Sequence, residues 1–271
     1  MKRTHSFGIR LYGGERKSAK ERALNARAAY EKKRNAAEKA DILYRVSAFP
    51  DESAFFPGNT VLFGAYPRVS PNASAPIEWI VLETDGATAL CIAKDCLFTS
   101  RYCETKTAEG EADPWTWENS LARAVCGRFF QKAFSAEEKA RFVPKVMSGD
   151  AIGQRCRDFV FLLSAQEAQR FFPSDEERKA KPTVYAIRGG AWRGMRDDTR
   201  EYTAWWLLPE KTKGGFMSGA VFPKYVQENG VAAWAGRNTH HADFTIRPCI
   251  RIRYKNDFAT RPRIKIKYTN E

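Results

Sequence analysis

The charge of this chain is confined to its two ends, and that segregation limits the folded core to the stretch between them. Residues 1–45 carry 13 Lys+Arg against 5 Asp+Glu, and residues 251–271 carry 7 against 2, whereas 46–250 balances 25 against 25. These imbalances make up the formal +13 of the 271 residues. Clustered like charges repel one another in a compact interior, so both ends are expected outside the core, where they would seek a polyanion. All seven Trp fall in the balanced stretch, enough large apolar surface for one core of ordinary domain size. The expected organisation is a basic leader over 1–45, a folded domain over 46–252 and a basic extension over 253–271.

From Glu15 to Lys39 the leader is almost all strong helix formers without Gly or Pro, which predicts a helix. Its only large apolar residues are Leu24 and Tyr30, so it has little to bury and reads either as a solvated helix or as a contact for an acidic partner. In the extension, Arg263, Lys265 and Lys267 alternate with Ile264, Ile266 and Tyr268, the pattern of a strand with one basic face. Lys17, Lys20, Arg27, Lys32, Lys33 and Arg34, with Arg263, Lys265 and Lys267, are the candidate contacts to nucleic acid or an acidic protein. No apolar run approaches signal-peptide or membrane-span length, so a cytoplasmic protein without a membrane partner is expected. The six cysteines suit reduced, buried thiols, and no spacing suits zinc; no metal or cofactor is expected.

Within the body, residues 60–67, 78–84 and 87–93 read as strands, the last two joined by Asp85-Gly86 in a type I′ hairpin turn. Trp117, Leu121, Val125, Phe129 and Ala133 recur every four residues and predict a helix opening near Asp113-Pro114. Ser135/Glu138 and Ser164/Glu167 are spaced as capping boxes, and 159–164 reads as a buried strand feeding the second. Residues 173–200 read as exposed loop around a short strand at Val184–Ile187, followed by strands at 202–208, 219–226, 230–235 and 245–254. Phosphate-binding glycine loops and a nucleophile elbow are both missing. Asp197-Asp198 and Glu137-Glu138 read as solvated charge. Residues 188–193, Arg-Gly-Gly-Ala-Trp-Arg, combine cations, an aromatic ring and glycine in a way that either serves single-stranded nucleic acid or forms a plain surface loop.

Taken in order, FGAYP (63–67), IEWIVLE (77–83), WENSLARAVCGRFFQKAFSAEE (117–138), VFLLSAQEA (160–168), WWLLP (205–209) and IRPCI (246–250) resemble the landmarks of an uncharacterised bacterial domain family, one common in mobile elements, over residues 58–252. Those landmarks are similar in turn to the C-type-lectin-like fold of formylglycine-generating enzymes and of retroelement variable proteins. The resemblance implies an α+β class: a C-type-lectin-like mixed sheet with flanking helices, here preceded by the basic helix. Trp206-Leu207-Leu208-Pro209 stands where such proteins usually carry Trp-Leu-Arg-Ser, while Arg247-Pro248 is retained. Nothing matches the paired copper-binding cysteines of the formylglycine enzymes, so that chemistry does not carry over. By the same analogy, the polar run 235–243 before the closing strand is where a small polar ligand would be recognised. The candidate ligand contacts are Trp206, Trp234, Arg237, Asn238, His240, His241 and Asp243, with one of Trp205 and Trp206 expected to be exposed near that run. The reading that follows is a non-enzymatic recognition domain. Its alternatives are an enzyme on the formylglycine-type scaffold and an assembly protein of a mobile element.

Overall fold

The computed structural model describes residues 49–104, 115–213, 218–235, 239 and 241–255. The leader helix, the 263–268 strand and all nine candidate cations on them lie outside these residues. The chain begins with two long strands, β1 (Thr60–Ser70) and β2 (Ala73–Thr84), followed by β3 (Thr88–Ala93) and β4 (Phe98–Thr99). Helices α1 (Leu121–Ala133) and α2 (Ala136–Lys139) lead to strands β5 (Lys145–Gly149), β6 (Gly153–Asp158) and β7 (Val160–Phe161). Three short helices follow, α3 (Ala165–Phe171), α4 (Asp175–Arg178) and α5 (Val184–Arg188). The remaining strands are β8 (Trp205–Trp206), β9 (Glu210–Lys211), β10 (Val221–Phe222), β11 (Lys224–Val226), β12 (Ala232–Trp234), β13 (Thr245–Ile246) and β14 (Cys249–Arg253). The class is mixed α/β, mostly sheet with few helices and no barrel.

One five-stranded sheet runs β1-β2-β3-β14-β7, antiparallel throughout. Its burial follows from composition. In β2, Ile77, Trp79 and Val81 point inward between partly exposed neighbours, the period of a half-buried strand, whereas β3 reads Ala89 to Ala93 without interruption and is buried on both faces. Helix α1 packs on β1 and β7, the two outer strands, turning Ala122, Cys126, Phe129, Phe130 and Ala133 inward. Aromatic rings fill the space beneath it: Phe134 lies 5.3 Å from Phe63 and 4.6 Å from Phe142 between centroids. A second five-stranded sheet runs β12-β11-β8-β13-β4, its β8–β13 pair parallel. A single buried cluster extends from Phe55 to Tyr254 through both sheets.

Local signals account for most element ends. The expected capping boxes at Ser135/Glu138 and Ser164/Glu167 are both formed, and a third, Ser174/Glu177, opens α4. Several expectations are corrected. Trp117 precedes α1, whose N-cap is Ser120, so the helix starts later than the four-residue spacing suggested; Asp113-Pro114 lies outside the described residues. Val184–Ile187 is helical because the Thr183 hydroxyl accepts from the Ala186 amide at 3.1 Å and captures the chain as an N-cap. The 173–200 stretch is largely exposed as expected, but it carries two short helices and is anchored by the buried Arg178, Ala180, Thr183, Ala186 and Thr199. At the hairpin, Gly86 alone has positive φ (+84°), so the turn places glycine at its first central position and is not type I′. Neither Trp205 nor Trp206 is exposed. Adjacent strand residues do face opposite ways, but both faces are covered, with the Trp205 indole donating to the Arg178 carbonyl and the Trp206 indole to that of Ser100. Strand β14 runs to Arg253 and Tyr254 is buried against Phe55, so the folded body reaches slightly past residue 252. Arg251, counted among the cations of the basic end, pairs with Glu83 at 3.0 Å and Asp85 at 3.5 Å.

The sheets are joined at Arg247-Pro248. Arg247 is 3% exposed; its Nε donates to the Ala93 carbonyl at 2.9 Å, and its guanidinium lies 5.1 Å from the Phe172 ring and 5.2 Å from the Trp205 ring. Among the described residues no carboxylate lies within ion-pair distance of it, and Asp95 attracts it from farther off. Arg247→Ala, which opens a void between two rings, should lower unfolding free energy by about 2–5 kcal/mol in denaturant titration. Arg247→Met should recover at least half of that, because the chain refills the gap and Asp95, which feels the Arg247 charge, keeps Arg68 as its ion-pair partner.

A second prediction concerns acid. The Thr88 hydroxyl, then the Thr88 and Ala87 amides, hold the exposed Asp85 carboxyl at about 2, below its ordinary 3.8. A depressed folded-state pKa means the contribution is complete above about pH 4 and is lost as pH falls toward 2. The unfolding midpoint of the wild type should therefore drop more steeply than that of Asp85→Asn across this window.

Candidate functional site

Helix α5 ends at Gly189, and the chain then folds back over residues 190–194, each turn of which is tied to rigid structure. The Ala191 amide donates to the Ala186 carbonyl at 3.0 Å and the Trp192 amide to that of Asp243 at 2.9 Å. The Thr203 hydroxyl donates to the Trp192 carbonyl at 2.5 Å, and the Gly194 amide to the Tyr202 carbonyl at 3.3 Å. The opposite wall is the segment entering β13. There Phe244 packs on Trp206 at 4.8 Å and Tyr225 at 4.6 Å, and its carbonyl accepts from the Ser100 amide at 3.0 Å. Between the walls lies a cleft of about 560 Å³, lined by Gly190 through Gly194, Arg200 and Asp243. Ligand sites usually have volumes of about 300–1,000 Å³.

Trp192 keeps 39% of its surface exposed. Arg193 has no hydrogen-bond or ion-pair partner among the described residues, and Arg200 has only a 3.3 Å contact to Asp197, with both side chains largely in water. Such an exposed pair is worth little and yields easily to a ligand. Asp243 faces His241, with 3.5 Å between Oδ1 and Nδ1, and this same buried oxygen accepts no hydrogen bond. His241 lies near-parallel to Phe244, 6.0 Å between ring centroids. The cleft thus offers two available guanidinium groups, one aromatic face and one carboxylate.

The segments at 188–193 and 235–243, singled out separately in the sequence, therefore meet. Of the candidate ligand contacts, His241 and Asp243 belong to this region. Trp206 lies beneath it with no exposed face, and its ring packs on Phe244. Trp234 is elsewhere, on the outer strand β12 with Lys224 Nζ 4.4 Å from its ring centre. Arg237, Asn238 and His240 lie outside the described residues, but Thr239 is fixed between them: its carbonyl accepts from the Tyr102 amide at 2.9 Å and its hydroxyl from the Cys103 thiol at 2.9 Å. Arg200, the remaining cation of the cleft, is not among the residues the sequence pattern singles out.

Other features offer less chemistry. All six cysteines are buried and free, and burial pushes Cys91 and Cys96 up to about 12, far from a thiolate at neutral pH. No group of three or more potential metal ligands converges among the described residues. A shallow face near Lys145 and Arg170, about 610 Å³, has those cations engaged by Glu167 and Glu83. No helix among the described residues is long and apolar enough to cross a membrane.

Fold and cleft together define a sheet-dominated α/β domain presenting a polar, aromatic-lined recess. The chain belongs to the family described as a domain of unknown function, DUF6273, whose pattern matches residues 90–254. The match contains the whole cleft and starts within β3, so β1 and β2, which carry the FGAYP and IEWIVLE landmarks, precede it. No curated protein matches the chain, and no solved structure does.

The loop depends on close approach at one glycine. A Cβ on Gly194 would lie 2.1 Å from Thr199 Oγ1 and 2.7 Å from the Thr199 carbonyl oxygen. Gly194→Ala should lift residues 190–200 off their support, seen as at least a several-fold faster tryptic cleavage at Arg193, Arg196 or Arg200. The global unfolding midpoint should move far less.

Proposed function

We propose that this chain is a non-enzymatic recognition domain, bacterial and cytoplasmic, whose cleft holds a polar ligand while its basic ends engage nucleic acid. The observation that carries the reading is the pairing of a charge-balanced folded body with strongly cationic flanks, outside which Arg193 and Trp192 stand ready on a fixed loop. A C-type-lectin-like architecture is part of the proposal. It is supported by the mixed second sheet, the short flanking helices and a polar segment that enters the closing strands β13 and β14. The formylglycine-type enzymatic reading has less behind it, because no cysteine lines the cleft. Arg251 is taken out of the available charge by Glu83 and Asp85, but six cations against two acids follow it.

Affinity carried by phosphate contacts must fall with salt, at about 0.9 logarithmic units per contact on duplex DNA. The full chain should bind duplex DNA or RNA with such a slope. Replacing Lys17, Lys20, Arg27, Lys32, Lys33 and Arg34 by Ala should flatten the slope by up to about 5, and replacing Arg263, Lys265 and Lys267 by up to about 3. A flat salt response, or binding unchanged in both variants, would reject the nucleic-acid assignment.

A further inference from the structure

We infer that the cleft between residues 190–194 and Asp243 receives an unpaired nucleobase with its neighbouring phosphates, so that the nucleic acid this protein recognises is single-stranded. The inference rests on the proposed reading of the basic ends and adds what the folded body contributes. Three observations converge. Trp192 presents an exposed ring from a backbone pinned at its own amide and carbonyl, so a base can stack on it with little ordering cost. Arg193, the next residue, is without a partner among the described residues, and Arg200, which lines the same cleft, is held only by a solvent-exposed contact, so two guanidinium groups share the cleft with the ring and are available to phosphates. Asp243 supplies the third term. Its carboxylate repels phosphate and confines it to the arginine side; because Oδ1 is enclosed beside His241, the acceptor for the N–H edge of a base is Oδ2 of this partly exposed side chain.

These requirements select among ligands. In a duplex each base face is covered by its neighbour, so Trp192 would find no ring to stack on, and the Watson–Crick N–H edge is occupied, which leaves Asp243 only the groove edges. A neutral sugar would leave both guanidinium groups unmatched. An acidic peptide would match them but would face Asp243 with like charge and leave Trp192 without a flat partner. Only an unpaired nucleotide segment uses the ring, the cations and the carboxylate together. The flanking cations would then hold the strand nearby, raising its effective concentration at the cleft.

The test uses the full chain and two fluorescein-labelled oligonucleotides, dT12 and a hairpin whose long G·C-rich stem stays paired at low salt, followed by anisotropy across a salt series. The single strand should bind more tightly than the duplex at equal salt. Trp192→Ala should weaken single-strand binding about 5- to 150-fold, the range of one base–aromatic stack, and leave duplex binding unchanged. Trp192→Phe should retain most of the affinity. Arg193→Ala with Arg200→Ala should reduce the single-strand salt slope by about 1.4. Thermal unfolding of each variant verifies that the exposed substitutions leave the fold intact. Equal losses on both oligonucleotides, no loss in Trp192→Ala, or stronger competition from polyglutamate than from unlabelled dT12 would overturn the inference. If the leader variant loses salt-dependent binding while Trp192→Ala loses none, the cleft assignment falls and the proposed function stands. If the wild type binds neither oligonucleotide, both fall.

Discussion

Everything else in this fold is arranged around the crossing at Arg247-Pro248. Strand β13 belongs to one sheet and β14 to the other, and only these two residues separate them. Pro248 fixes its own φ and disfavours helix at the residue before it, so the chain crosses extended. The crossing is then secured from both sides. The Ala93 amide donates to the Pro248 carbonyl at 2.9 Å, the Leu97 amide to that of Ile246 at 3.0 Å, and Arg247 fills the gap between Phe172 and Trp205. A cation without a carboxylate partner is an expensive filler, and its stem and planar head pack where an aliphatic chain would lack a donor for Ala93.

The cleft inherits its geometry from this joint. Thr245 pairs with Trp205 on one side and Thr99 on the other, which fixes the residues just before it, Asp243 and Phe244, against the second sheet. The facing loop is fixed through Thr203, two residues before β8, and through the Asp243 carbonyl. Both walls therefore hang from the same pair of strands, and their separation is set by a β-ladder. That is why charged and aromatic side chains here can remain without partners: the walls are held by their backbone groups and by Thr203 and Phe244, not by the side chains that line the cleft.

The sequence was most informative where a few adjacent residues decide the structure. Asp85-Gly86 marked the hairpin and Ser135 and Ser164 marked helix starts, since each acts within four residues of itself. Where a signal had competitors it failed. Ser174 heads an equally good capping box, but the acids behind it read as surface charge, and the β-branched Val184 and Ile187 suggested strand although Thr183 caps a helix. Trp117 matched the α1 period by coincidence of spacing. The cleft was half legible. Both of its segments stood out by composition, but what joins them is a backbone bond from Trp192 to Asp243, about fifty residues apart, and backbone bonds leave no trace in side-chain chemistry. Burial of both Trp205 and Trp206 was hidden for a related reason, since alternation along a strand says nothing about whether its second face is covered.

In the proposed reading, the division of charge separates two tasks that would otherwise interfere. Long-range attraction to a polyanion needs many cations, and those cations destabilise a compact body by repelling one another. Placing them on the flanks leaves the body balanced, with part of its own charge engaged in pairs such as Arg68 with Glu78 and Asp95, or Arg123 with Asp158. Arg193 stands apart from the body's other cations outside ion pairs because it lines the same cleft as an exposed ring. Such a pairing gives discrimination, because the ligand must supply both a charge and a surface for Trp192. Attraction by the flanks alone would accept any polyanion; the requirement imposed by the cleft is what can distinguish one polyanion from another.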